Sequence, residues 1–120
     1  MRGSDIIREL ETRQQSGQPF IRWWRRENDF ADYELLKDFR KRVEPNQEFE
    51  GFELLDIESM WKTLVKQSTH RLARDKRKGV EVIIWEHEDT EGYVKEQVCP
   101  FSPDAVMTIF DVETKGYTLV

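Results

Sequence analysis

Apolar residues recur every three or four positions over much of the first 79 residues, the spacing of one buried face of an α-helix. A first helix is predicted to begin at Ser4, whose hydroxyl can cap it, and to end near Gly17. A second is predicted to begin at Asn28 or Asp29 and to end near Arg42, shortly before a proline. The N-terminal third is therefore expected to be mainly helical.

The third predicted helix is the longest and runs from Asp56, a good capping residue, to Gly79, which ends it. Its apolar positions fall within an arc of about 100°, and they are Ile57, Met60, Trp61, Leu64, Val65 and Leu72. A basic residue or a histidine stands at every fourth position of the other side, namely Lys62, Lys66, His70, Arg74 and Lys78. Arg71 and Arg77 fall on the same half. The pattern predicts one amphipathic helix with a basic face.

Strand patterns dominate the last third of the chain. Residues 80–87 carry apolar side chains on both faces, as central strands do. Turn residues over 89–92 and a second strand over 93–99 predict a β-hairpin. Earlier in the chain, Phe20–Trp24 is rich in strand formers and predicts a strand or an ordered loop.

Two structures are consistent with the residues that follow this hairpin. Residues 106–112 and 117–120 have the pattern of a second hairpin. However, Ser102 and Pro103 also form a good helix start, with a cap and a first-turn proline. A short helix over 103–110 is therefore the alternative.

Helices followed by strands predict an α+β fold. We expect about three N-terminal helices packed on one face of a three- to four-stranded antiparallel sheet formed by the C-terminal half, in a single domain over 1–120. With 38% hydrophobic residues, a chain of this length can bury a core without disulfides or metal. The predicted core is Ile7, Leu10, Leu36, Phe39, Met60, Trp61, Leu64, Val65, Leu72, Val82, Ile84, Val94, Val98 and Ile109.

The net charge of −5 conceals blocks of opposite sign. Residues 44–58 carry six acids and no base, whereas residues 59–79 carry seven bases and one acid. Residues 80–120 are acidic again, with nine acids and two bases. Because local potential decides what a surface attracts, an acidic total does not exclude a basic binding surface.

Two segments supply the candidate partner-binding residues. The basic face of the third helix suits phosphate or an acidic protein surface and offers Lys62, Lys66, Arg71, Arg74 and Arg77. The second segment combines arginine with tryptophan, an aromatic and cationic anchor found at interfaces, through Arg22, Trp24, Arg25 and Arg26. The ordinary alternatives are a solvated helix face and tryptophans that belong to the core.

Other classes of chemistry lack support in the sequence. One cysteine, Cys99, allows neither a disulfide nor a cysteine-based zinc site within the chain, and it suits a cytoplasmic protein. In a strand, residues 86–88 would alternate between faces, which argues against a metal site there. No glycine-rich phosphate loop or nucleophile system is evident, so we expect no enzyme and no cofactor. No apolar run approaches the roughly 20 residues of a membrane span.

These observations favour a small non-enzymatic interaction or regulatory module that binds a protein partner through segregated charged faces. One alternative is a nucleic-acid-binding domain that uses the basic helix and the arginine–tryptophan segment. Another is an acidic mimic of nucleic acid, of the type that phages and mobile elements encode, whose acids over residues 80–96 would block a nucleic-acid-binding enzyme. The sequence is also consistent with self-association of the chain into a homo-oligomer.

Overall fold

The structure is a computed structural model with α+β architecture. It describes residues 1–13, 17–26 and 30–115. These residues form four helices and two three-stranded antiparallel sheets. The chain divides into two compact units, Met1–Met60 and Trp61–Val120, and a single domain over 1–120 stays a prediction. None of the described helices is long and apolar enough to cross a membrane.

The first unit is built around a small sheet. Its elements are α1 (Gly3–Arg13), β1 (Phe20–Trp24), β2 (Asp32–Leu35), α2 (Leu36–Arg42) and β3 (Gly51–Leu55). The strand order is β2–β1–β3, so the strand predicted from its composition is the central one. Phe20 lies opposite Leu35 of β2 on one side and Leu55 of β3 on the other. The first predicted helix is confirmed as α1, but it begins at Gly3, so Ser4 lies inside it rather than at its cap. Residues 14–16, before the predicted end near Gly17, lie outside the described residues.

A hydrophobic cluster of the first unit lies on one face of this sheet, and Phe20 and Leu35 are buried on the other. Ile21 and Trp23 alternate onto the first of these faces and pack with Ile6, Leu10, Phe39, Phe49 and Leu54, all of them buried. The rings of Trp23 and Phe49 meet edge to face with centroids 5.3 Å apart, a favourable aromatic geometry.

The second predicted helix is wrong in its first half. Residues 27–29 lie outside the described residues, and Asp32–Leu35 is a strand that precedes a short helix, α2. Apolar residues three apart suit a helix face, but they do not exclude a strand followed by a helix. Pairing with β1 gives this segment backbone hydrogen bonds that the local pattern did not reveal.

The second unit holds a larger sheet and the last helix. The boundary between the two units falls within the helix α3 (Ile57–Gln67). After α3 come β4 (Leu72–Arg77), β5 (Val80–Glu88), β6 (Val94–Pro100) and α4 (Pro103–Lys115). The order β4–β5–β6 makes β5 the central strand. The predicted hairpin of β5 and β6 is confirmed, and the Asp89 carboxylate accepts hydrogen bonds from the backbone N–H groups of Glu91 and Tyr93 in its turn.

The third predicted helix is wrong in its second half. It ends at Gln67, and Leu72–Arg77 is a strand paired with β5. Lys78 and Gly79 link these strands with φ angles of 54° and 80°, as a two-residue hairpin turn of type I′ requires. Gly79 therefore lies in the turn after a strand rather than at the end of a helix. The basic residues predicted on one helix are divided between α3 and the β4 region.

The second predicted hairpin is wrong, and the helical alternative is confirmed. Residues 106–112 belong to α4, and residues 117–120 lie outside the described residues. The Ser102 hydroxyl accepts a hydrogen bond from the Ala105 N–H at 3.3 Å, and Pro103 occupies the first turn. The local capping pattern was therefore the better guide here.

The helices are arranged differently from the expectation of three N-terminal helices on one C-terminal sheet. In the first unit, α1 and α2 contribute to the core of that unit's own sheet. In the second unit, Ile83 and Trp85 of β5 and the apolar side of α4 are buried. The Trp85 Nε1–H donates to Glu113 of α4 at 2.8 Å, which ties α4 to that face of the sheet.

The predicted core is confirmed in part. Six of its members are buried, namely Leu10, Phe39, Met60, Leu64, Val82 and Ile109, and five are half-buried, namely Ile7, Leu36, Trp61, Leu72 and Ile84. Val65, Val94 and Val98 are wrong, because they are exposed. The largest buried side chain that periodicity missed is Trp85.

Candidate functional site

The arginine–tryptophan segment is placed by β1, which points its side chains to alternate faces. Trp23 is buried on the core face, and its Nε1–H donates to the Glu34 carboxylate at 2.6 Å. Glu34 also accepts from Arg42 Nε at 2.9 Å, and this partner raises the pKa of Arg42. Trp24 is half-buried on the other face, as alternation predicts.

Trp24 and Arg22 have clear structural roles. The Trp24 ring lies over Gly51 on the neighbouring strand, where an added Cβ would come within 2.5 Å of the ring. The Arg22 guanidinium lies 4.8 Å from the Trp24 ring centroid and 3.5 Å from the Glu53 carboxylate. An aromatic ring that covers a strand glycine stabilises the sheet. Contacts within the sheet therefore account for the positions of Trp24 and Arg22.

Arg25 and Arg26 are exposed, but charges of both signs surround them. Both line a groove of about 430 Å³, together with Glu48 and Glu50. The Arg25 guanidinium also lies 5.3 Å from the Trp23 ring centroid. A groove that carries as many acids as bases lacks the one-sign potential that attracts phosphate.

The five basic residues assigned to the third helix do not form one face. Lys62 and Lys66 lie on α3, whereas Arg71 precedes β4, and Arg74 and Arg77 lie on that strand. All five belong to the second unit, and the arginine–tryptophan segment belongs to the first.

Acids of the same sheet contact the three arginines. Arg74 Nε donates to Glu81 at 2.7 Å, and its guanidinium lies 3.9 Å from the Phe101 ring centroid. Arg71 approaches Glu86 at 3.8 Å, and Arg77 approaches Asp75 at 3.6 Å. Arg74 is therefore engaged within the fold, whereas Arg71 and Arg77 make only long ion pairs at exposed positions.

The C-terminal sheet has one face that α4 leaves open. Alternation along β5 sends Glu81, Ile83, Trp85 and His87 to the face of α4. It sends Val80, Val82, Ile84, Glu86 and Glu88 to the opposite face. We call the opposite face the open face. By register it comprises Arg71, Ala73, Asp75, Arg77, Val80, Val82, Ile84, Glu86, Glu88, Val94, Glu96, Val98 and Pro100.

The open face is apolar in its centre and at several positions around it. Val80, Val94 and Val98 are 54%, 65% and 43% exposed. Ala73 and Ile84 between them are half-buried. By register Val80, Pro100 and Val98 follow one another along the face, whereas Val94 lies at its far end, beyond Glu86 and Glu96. A contiguous exposed apolar stretch on a sheet face is typical of a surface that another protein covers.

One end of the open face is acidic. Glu86 and Glu96 are cross-strand neighbours, and Glu88 follows two residues along β5. Together with Arg71 and the apolar centre, Glu86 and Glu96 line a recess of about 160 Å³. Alternation in the sequence already predicted Glu86 and Glu88 on one face, but only the pairing of β5 with β6 shows that Glu96 lies beside Glu86.

A buried carboxylate forms a second cluster, which the sequence did not indicate. The Glu113 side chain is 1% exposed and accepts hydrogen bonds from Trp85 Nε1 at 2.8 Å, Thr69 N at 3.0 Å and His70 Nδ1 at 2.8 Å. Burial alone would raise the pKa of Glu113, but these hydrogen bonds outweigh burial and lower it. The cluster keeps a charged carboxylate between α4, β5 and the segment before β4.

This cluster resembles half of a catalytic dyad but lacks its reacting partner. A carboxylate that holds His70 Nδ1 could orient the ring as a base, yet Nε2 has no hydrogen-bond partner among the described residues. Cys99 lies opposite Ile83, and His87 stands four residues further along β5. About 13 Å therefore separates the positions of Cys99 and His87. Burial raises the pKa of the Cys99 thiol, which disfavours its reactive form. The hydrogen bonds to Glu113 give the cluster a structural role, because they tie α4, β5 and the segment before β4 together.

The segment that resembled a metal site is divided as alternation predicts. Glu86 and Glu88 lie on the open face, whereas His87 stacks on Trp85 with ring centroids 4.3 Å apart. Within the described ranges, no group of three or more histidine, cysteine, aspartate or glutamate side chains could hold a metal ion.

Comparison with known proteins gives no relative from which a site could be transferred. No family model matches the chain, and no curated protein and no solved structure matches it either.

Proposed function

We propose that this protein is a non-enzymatic binding module whose contact surface for another protein is the open face of the C-terminal sheet. The observation that carries the proposal is the exposed apolar stretch of that face formed by Val80, Pro100 and Val98, with Val94 exposed at the far end of the face. Burying such side chains contributes roughly 25 cal/mol per Å² of apolar area, so they favour association. The charged residues around them supply orientation and specificity.

The open face supports this proposal better than the residues predicted first. Trp24 and Arg22 contact each other and β3, and Arg74 contacts Glu81 and Phe101. Among the predicted residues, Arg71 and Arg77 lie on the open face, beside its apolar centre. They become the basic part of its rim rather than part of a helical stripe.

The open face complements a different protein better than a second copy of itself. A two-fold axis parallel to the strands and passing over β5 would place Glu86 over its own counterpart. A two-fold axis across the strands at Ile84 would place Glu86 over Val82 and Glu88 over Val80. The first arrangement opposes the two Glu86 carboxylates, although it also places Arg71 of each copy over Glu96 of the other. The second buries carboxylates against apolar side chains, which costs free energy.

Site-specific photo-crosslinking tests this proposal. A photoreactive amino acid is placed at Val98 of the full chain, and crosslinks are formed in cells that make the protein. Val65 is the matched control position, because it is an exposed valine of the same unit, 47% exposed against 43%, but lies on α3. We expect one protein to crosslink at position 98 and to be displaced by unlabelled protein.

Two results would overturn the proposal. One is a crosslinked protein at position 65 with none at position 98. The other is crosslinking at position 98 to nucleic acid or to a second copy of the chain, which would support the alternative binding classes instead.

A further inference from the structure

The acidic end of the open face carries like charges at close range. Glu86 and Glu96 stand directly opposite each other on paired strands. Directly opposed side chains of an antiparallel pair have Cβ atoms about 5 Å apart, and like charges in that position destabilise the sheet. A sheet that holds two carboxylates there gives up some folding stability.

The fold does little to offset this charge. Arg71 is the one cation that approaches Glu86 among the described residues, at 3.8 Å, and its side chain is 79% exposed. Lys95, next to Glu96 in the chain, points to the other face and pairs with Asp89 at 3.4 Å. Glu96 makes no ion pair within the described part of the chain.

The acidic end also adjoins apolar surface. The recess that Glu86 and Glu96 line with Arg71 is also lined by the apolar side chains of Ala73 and Ile84. A long side chain with an apolar stem and a cationic head matches both parts of such a recess. Arginine fits best, because its planar group can bond two carboxylates at once.

We propose that the partner protein presents arginine or lysine side chains to the acidic end of the open face, with apolar side chains against its valines. This inference rests on the proposed function and adds the chemistry of the partner. Clustered arginine and lysine are the mark of a surface that binds nucleic acid. The acidic end would then occupy the place of phosphate groups on such a surface.

A defined peptide tests the charge preference before any partner is known. The probe is a short synthetic peptide of alternating arginine and valine, and the comparison peptide has glutamate in place of every arginine. Binding to the full chain is followed by backbone NMR shifts during titration. We expect the arginine peptide to shift the signals of Glu86, Glu96 and Val98 and the glutamate peptide to shift none of them.

Charge-neutral variants separate the acidic end from bulk charge. The double variant Glu86→Gln with Glu96→Gln should weaken binding of the arginine peptide about tenfold and reduce its salt dependence. The control variant Glu91→Gln with Glu50→Gln changes the net charge equally at exposed positions off the open face and should change the affinity by less than about twofold. Equal weakening by both variants, or no weakening by either, would contradict the inference.

The two proposals fail in different ways. If Val98→Lys abolishes binding of the crosslinked partner while Glu86→Gln with Glu96→Gln leaves it unchanged, the partner is not cationic there and the proposed function stands. If Val98→Lys leaves partner binding unchanged, the open face is not the contact surface and both proposals are wrong. Circular dichroism of each variant shows whether its fold is intact.

Discussion

At the scale of single residues, several charged and aromatic side chains make their main contacts within the chain itself. Glu113 is the clearest case, because one buried carboxylate holds an indole, a backbone N–H and an imidazole. Trp24 is another, since its ring covers Gly51. Residue type and local spacing suggested binding roles for the arginine–tryptophan segment, but only the pairing of β1 with β3 shows what Trp24 contacts.

Removing the Glu113 charge should destabilise the fold in a pH-dependent way. Folding lowers the pKa of Glu113, so its contribution is complete above its ordinary value of 4.5 and is lost as the pH falls below it. Glu113→Ala also leaves buried donors without an acceptor and should lower the free energy of unfolding by about 2 kcal/mol at pH 7.

Urea unfolding at several pH values measures this effect. The difference between wild type and Glu113→Gln should be largest near pH 7 and should shrink as the pH falls well below 4.5. Glu91→Gln, at an exposed position in the β5–β6 turn, is the control. A difference between wild type and Glu113→Gln that stays constant down to the acid range would show that the Glu113 charge does not stabilise the fold.

The contact between Trp24 and Gly51 predicts a strong coupling between two substitutions. Gly51→Ala should lower the free energy of unfolding by about 1–3 kcal/mol, because its Cβ would come within 2.5 Å of the Trp24 ring. The same substitution in a Trp24→Ala background should cost much less. A double-mutant cycle from urea unfolding gives the coupling, and purely additive effects would show that the ring does not lie over Gly51.

At the scale of elements, local signals were reliable where they reported on local chemistry. The capping pair Ser102 and Pro103 starts α4, and the turn after β5 was found from its residues. Local signals failed where one residue pattern fits two different structures. Glycine at position 79 fits both the end of a helix and a type I′ turn.

The turn at Lys78 gives a direct test of the strand that replaces the predicted helix. Lys78 has a φ of 54°, which is unfavourable for lysine and well tolerated by asparagine. Lys78→Asn should therefore raise the free energy of unfolding by about 0.5 kcal/mol. If 57–78 were one helix, the same change would lower stability, because asparagine is a poorer helix former than lysine. Thermal or urea unfolding decides between the two signs.

At the scale of the whole molecule, the α+β class followed from the sequence but the arrangement did not. Val94 and Val98 show why. Valines on one face of a segment indicate a strand, but they do not reveal whether a second layer covers that face. The candidate site was anticipated only in its acids over residues 80–96, because its exposed valines Val94 and Val98 were predicted to be core. Its members come from three strands that only pairing brings together, and Arg71 and Arg77 had been assigned to a helix.

The central claim is that the open face binds another protein, and the affinity of that protein for two matched variants tests it most directly. The partner identified by crosslinking is purified and titrated against the full chain carrying Val98→Lys or Val65→Lys. We expect Val98→Lys to weaken binding by a factor of about ten or more, because it places a charge in an apolar contact. Val65→Lys should bind as the wild type does. Equal affinities for Val98→Lys and the wild type would contradict the account.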